Sequence, residues 1–213
     1  PPQRSLVPTA GIYAYTGRGT DTLDKPPKTQ EQGPTMPVTV TTRTEGCWEF
    51  RIDYSSNHWQ SWVYCPRDDS LHEEGGTTYQ KWGFGPLSNE STTTFDCSEA
   101  VVISADQQPD DVWNQTCHDA ADTDTTSTGP YRYIGEEQLE IGGTGVSALH
   151  YRRDRTMSGG QVGTEHTDVW FHADSGLPLR NVRELEVKTS TIIGDVRYTE
   201  TGSFEATSLR PSS

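Results

Sequence analysis

The segment 46–65, GCWEFRIDYSSNHWQSWVYC, leaves a chain few ways to fold. Folding it back about Ser56 sets Cys47 opposite Cys65. Directly opposed residues of an antiparallel pair lie about 4.5–5.5 Å apart at Cα, within disulfide reach. The same register sorts the side chains. Trp48, Phe50, Ile52 and Tyr54 share a face with His58, Trp62 and Tyr64; Glu49, Arg51 and Asp53 share the other with Trp59, Ser61 and Cys65. An aromatic face backed by a mostly polar one is the period-2 pattern of half-buried strands. A slip of one residue would exchange the faces and separate the cysteines. Two independent constraints therefore predict one disulfide-closed hairpin.

The remaining cysteines, Cys97 and Cys117, flank a less regular stretch. Within it, 108–120 opens with Pro109, Asp110 and Asp111, a start that suits a short helix because unpaired first-turn amides attract acids. A Cys97–Cys117 bridge would staple that helix to a strand at 92–96. The alternative is a metal site, but the four cysteines match no short C-x-x-C zinc pattern. Disulfides in turn predict an oxidising, extracytoplasmic location, secreted or tethered to the outer face of the cytoplasmic membrane.

Elsewhere the text reads as strand and turn. Residues 1–10 form a flexible lead-in; 11–15, 38–43 and 77–84 are strands; 17–36 is a long loop; 66–76 and 85–91 are turns or loops. The run 119–129, DAADTDTTSTG, is the best linker in the chain. It divides an N-terminal disulfide-containing β half, 11–118, from a C-terminal antiparallel half, 130–213. In the latter, strand-like runs at 131–141, 146–153, 163–172, 179–189 and 195–206 are separated by short, mostly Gly-containing turns, the mark of a meander. GIYAYTG at 11–17 resembles GPYRYIG at 129–135, a faint sign of duplication. The predicted fold is mainly β: long curved antiparallel sheets, incomplete and barrel-like, with one or two short helices.

Composition limits function. The net charge of −14 opposes nonspecific nucleic-acid binding, which rests on neutralised phosphates. No run of 18 apolar residues exists, so no helical membrane span is expected. The opening Pro1-Pro2-Gln3-Arg4 reads as a cut end without a signal peptide. Only 31% of residues are hydrophobic, but six Trp and nine Tyr argue for a folded, aromatic-rich core.

Catalytic signatures are absent: no G-x-S-x-G, no phosphate loop, no H-E-x-x-H. His72-Glu73-Glu74 lacks a second His four residues on, and IGGTG at 141–145 precedes no helical pattern, so it reads as a turn. His166, Asp168, Trp170 and His172 fall on one strand face. Asp168 and His166 sit close enough to share an ion, but a polar outer face opposite Thr167, Val169 and Phe171 is the simpler reading. Asp119, Asp122 and Asp124 lack the loop Gly and closing Glu of a calcium loop. Glu184 and Glu186 share a face at a spacing compatible with glycoside hydrolysis, opposite Arg183, Leu185 and Val187. In a chain with 31 acids such pairs are common, so a carboxylate hydrolase is the weakest alternative. Asn89 and Asn114 begin glycan acceptor triplets that matter only in a eukaryotic secretory cell. No cofactor and no metal are expected.

Trp170, Phe171, Ser175, Gly176, Leu177, Pro178, Leu179 and Arg180, a strand end followed by S-G-L-P-L-R, resemble the LolA/LolB/LppX-like lipoprotein-carrier superfamily of bacterial envelopes. The N-terminal hairpin resembles extracytoplasmic proteins of actinobacteria. The carrier resemblance implies a curved antiparallel sheet with an apolar concavity that accepts lipid or acyl chains. The expected function is then noncatalytic binding of a lipid or other amphiphile on a concave face. Trp48, Phe50, Trp62, Trp82, Trp170 and Phe171 are the candidate pocket or core aromatics. The alternative is a protein-binding or structural ectodomain of a membrane-anchored envelope protein, with exposed Trp59 as an anchor.

Overall fold

A computed structural model describes residues 4–121, 124–191 and 194–212, without the side chain of Glu99. Among these residues fourteen strands form one antiparallel sheet: β1 (Gly11–Tyr13), β2 (Tyr15–Asp24), β3 (Pro27–Gln32), β4 (Val38–Thr42), β5 (Trp48–Ser55), β6 (His58–Arg67), β7 (Ser70–Phe84), β8 (Leu87–Ile103), β9 (Val112–Asp119), β10 (Thr126–Ile141), β11 (Thr144–Ser158), β12 (Gln161–His172), β13 (Pro178–Thr191) and β14 (Gly194–Ala206). Their spatial order is β1-β4-β5 and then consecutively to β14, followed by β2-β3. The order ends at β1 and β3, so the sheet is not closed into a barrel. Yet β1 and β2 are separated in the chain by Ala14 alone. The sheet therefore coils until its two ends meet along one continuous stretch of backbone.

The β5–β6 register is the predicted one: Trp48 pairs with Tyr64, Phe50 with Trp62 and Asp53 with Trp59. The Cys47–Cys65 disulfide continues it, with Cα atoms 4.2 Å apart. A bulge at the turn then shifts Ser55 opposite His58. Cys97 and Cys117 are bonded to each other and paired across β8 and β9.

Three expectations are corrected. The fold contains no short α-helix: among the described residues the one helical element is a three-residue 3-10 turn, Thr44–Gly46. The predicted helix at 108–120 is instead a turn followed by β9. Asp110 takes a left-handed φ of 72°, and Asp111 closes a turn onto Gln108 by two hydrogen bonds. The acids serve the turn, and the chain beyond it alternates, burying Gln115 and Cys117. The predicted loop at 17–36 holds β2 and β3, a hairpin with an exposed outer strand. The turns within 66–76 and 85–91 are short, because β7 begins at Ser70 and β8 at Leu87.

Residues 119–129 join neighbouring strands of the same sheet, and Thr126, Ser127 and Thr128 pair with both β9 and β11. Residue 122, one of the acids weighed for calcium, lies outside the described residues. In the lead-in, Leu6 is fully buried; its amide donates to Asp174 O, and its carbonyl accepts from Trp48 Nε1. The two similar heptapeptides each send a tyrosine pair inward, Tyr13 and Tyr15 from one and Tyr131 and Tyr133 from the other.

Candidate functional site

Alternate residues of every long strand face the interior of the coil. On β13 they read Leu179, Asn181, Arg183, Leu185, Val187; on β14, running back, Val196, Tyr198, Glu200, Gly202, Phe204; on β11, Tyr151, Arg153, Arg155, Met157. The interior is thus layered along its axis: an aromatic core, a sheet of charges, then an open cavity.

The core layer sets Trp48 tilted against Tyr64 at 4.7 Å and stacks Phe50 on Phe204 at 6.0 Å, with Tyr64 edge-on to Phe171. Trp48, Phe50 and Phe171, three of the candidate aromatics, belong to this closed layer, and partly buried Trp62 packs against it. Phe50, Trp62 and Phe171 line a residual void of about 20 Å³. That is one water's worth of space, too small for a ligand.

The charged layer is almost free of solvent. Arg153 Nη2 donates to Glu165 at 2.8 Å, and its Nη1 approaches Glu73 at 3.4 Å. Arg183 lies 3.2 Å from Glu165 and 3.3 Å from Glu200, and donates to Gln60 Oε1 at 2.7 Å. Arg155 is 3.9 Å from Glu73 and donates to Gln115 at 2.9 Å. Burial alone would raise the Glu165 pKa, but Arg153, Arg183 and Arg155 together hold it well below the usual carboxylate range. Burial and the neighbouring Arg153 cation both push the Arg155 pKa down.

Beside this layer, His58 Nδ1 lies 3.0 Å from Asp21, and Tyr198 bridges Asp21 and Glu200 at 2.9 and 3.1 Å. Burial, Glu200 and Asp21 raise the Tyr198 pKa, so the hydroxyl stays a donor. Ligand atoms of Asp21, His58 and Glu200 lie within 4.8 Å of one another, a set that could hold a metal. The Gln32 amide already stands among them, donating to Asp21 at 2.8 Å and to Glu200 at 3.4 Å. Among the described residues the other such grouping, Glu73 with Cys97 and Cys117, has both sulfurs committed to a disulfide.

Beyond the charges lies a cavity of about 490 Å³. Leu23, Trp82, Phe84, Leu185, Val187 and Val196 give it apolar walls; Arg183, Glu200, Gln60 and Tyr198 form its polar floor. Lys25 and Pro26 of the β2–β3 turn stand at its rim. Trp82 is buried edge-on against Tyr198 at 6.3 Å. Of the six candidate aromatics, this one lines the large cavity.

Trp170 lies on the face opposite Phe171. It stacks on His150 at 4.1 Å and donates to Glu137 at 2.9 Å. His150 places one ring nitrogen 2.7 Å from Glu137 and the other 2.8 Å from Asp168. The strand face weighed for a metal is therefore divided among separate partners: His166 contacts Asp154, Asp168 contacts His150, and His172 contacts Ser175. Glu184 and Glu186 are exposed on the side away from the cavity.

Sequence reasoning missed Arg153, Arg155, Glu73, Glu165 and Glu200 as an interior layer. The available signal was Arg153 and Arg155 two residues apart, between Tyr151 and Met157 on one face.

No family model matches this chain, and no curated protein matches it. Among solved structures, the hypothetical lipoprotein YmcC from Escherichia coli (K12) aligns over 91% of this chain and 88% of that one, with 9% identity and a TM-score of 0.37. That likeness is too slight to bear on function. Among the described residues no helix is long and apolar enough to cross a membrane.

Proposed function

We propose that this chain is a noncatalytic binding protein of an extracytoplasmic compartment, and that its wide cavity holds the apolar part of a lipid or other amphiphile. One observation carries the reading. A chain with only 31% hydrophobic residues sets Leu23, Trp82, Phe84, Leu185, Val187 and Val196 around a 490 Å³ space that no side chain fills. Apolar walls around an unfilled space gain free energy when an apolar group displaces water from them, at about 25 cal/mol per Å². The two disulfides support the compartment, because such bonds persist where the surroundings are oxidising. The resemblance of the 170–180 segment to lipoprotein carriers points the same way. The acids weighed for hydrolysis, Glu184 and Glu186, face away from the cavity, which favours binding over chemistry.

The test is mass spectrometry of the natively purified protein before and after organic extraction. Release of a stoichiometric amphiphile supports the reading, and its mass names the class. A clean apoprotein mass that persists after incubation with envelope lipids overturns it. A second reading, a protein-docking ectodomain, draws on the outer face, where Trp59 stacks on Tyr79 at 5.7 Å under the Arg51 guanidinium at 4.2 Å.

A further inference from the structure

The floor of the wide cavity borders a second space. A smaller cavity of about 80 Å³ adjoins it, walled by Arg153, Arg155, Glu73, Glu165 and Ser127. The two spaces share Gln60, Thr78, Phe95, Met157 and Arg183. Arg183 is thus common to both, with Glu200 on its wide-cavity side and Glu165 on the other.

The inner cavity is short of acceptors. Arg153 Nε, Arg155 Nε and Ser127 Oγ are buried there without a hydrogen-bond partner, and all three can donate. Leaving such groups unpaired costs free energy that a matching acceptor would recover. Three guanidinium groups face the space against the carboxylates of Glu73 and Glu165. Arg155 is the least compensated of the three: its ion-pair partner Glu73 is 3.9 Å away, and its pKa is lowered by burial and by Arg153.

We propose that the inner cavity receives the carboxylate head of a single-chain fatty acid, whose tail lies along the wide cavity. This rests on the amphiphile reading and names its ligand class. A carboxylate supplies the acceptor oxygens these donors lack. It is also small enough for a space of about 80 Å³. Ordered waters are the competing occupant.

The experiment titrates delipidated wild-type protein with palmitate and with hexadecanol, which differ only in the head group, by calorimetry. Palmitate is expected to bind about tenfold or more tightly than hexadecanol, the effect of one or more charge-assisted hydrogen bonds. In Arg155→Met the advantage should shrink toward nothing while hexadecanol affinity holds; Ser127→Ala should reduce it partially. Equal wild-type affinity for the two ligands overturns the head-group assignment and leaves the amphiphile reading standing. Binding of neither overturns both. An undiminished palmitate preference in folded Arg155→Met also overturns the assignment. The wild-type comparison decides the matter even where a variant fails to fold.

Discussion

Arg183 Nη1 stands 3.3 Å from Glu200 Oε2, at the level where the charged layer meets the wide cavity. The pair links β13 to β14 and is almost fully buried, so its desolvation must be offset by its other partners, Glu165, Gln60 and Tyr198. Gln60 in turn accepts from Tyr54 and donates to Thr78. The network has little slack.

Removing one member should therefore be costly. Arg183→Met leaves Glu165 and Glu200 with less compensation and is expected to destabilise the fold by about 3–5 kcal/mol. The urea midpoint measures it. Adding Glu200→Gln to that variant should restore part of the loss, because the two sites are coupled. Additive losses would show that the pair does not act as a unit.

Acid should remove the stabilisation that ionised Glu165 gives this layer. The folded Glu165 pKa is depressed below its unfolded value, so the stabilisation from its ionised form is complete above the ordinary glutamate pKa of about 4.3. It declines as the pH falls from there toward the folded value. Unfolding free energies from pH 7 down to 2 should fall steeply below about pH 4. In Glu165→Gln, which has no such proton to take up, the acid slope should be shallower and the stability at pH 7 lower.

The disulfides should matter unequally for the site but similarly for stability. Replacing Cys47 and Cys65, or Cys97 and Cys117, by serine pairs is expected to cost about 2–4 kcal/mol each. Thermal melts with and without reductant read the sum. The Cys97–Cys117 bridge lies next to Glu73, with Cys97 Sγ 3.7 Å from its carboxylate. Its loss should also weaken palmitate binding, whereas loss of the Cys47–Cys65 bridge should not.

Filling the cavity should separate binding from folding. Leu185 is half-buried on its wall. Leu185→Trp places a larger ring in open space, where overpacking strain is small, so stability should change by less than about 1 kcal/mol. Amphiphile affinity should fall about tenfold or more. Unaltered affinity in the folded variant would move the binding site elsewhere on the molecule.

The local periodicities were legible. In β5 and β6 the alternation of Trp48, Phe50 and Ile52 with Glu49, Arg51 and Asp53 fixes both the buried face and the partner of every residue up to the turn bulge. The five C-terminal strands were readable for the same reason, since their apolar alternation and Gly turns are short-range signals. β2 and β3 were not. Their Gly-, Lys-, Gln- and Asp-rich text carries little alternation, and β2 is held by pairing with β14, from Tyr15 with Ala206 to Leu23 with Tyr198. The segment at 108–120 carried helix-start chemistry, but the Cys97–Cys117 register and the pairing with β10 made it a strand.

By itself, then, the sequence determined an antiparallel β protein, the Cys47–Cys65 hairpin with its register, and an aromatic interior, because each follows from contacts between near neighbours. The tertiary structure alone decided that Glu73, Arg153, Glu165, Arg183 and Glu200 form one buried layer, and that Leu23, Trp82 and Leu185 surround one space. These residues come from strands far apart in the chain, as with Arg153 and Glu73 at a separation of 80 residues. Single-strand patterning gives the side on which a residue lies. The coiling of the sheet decides which residues on that side meet.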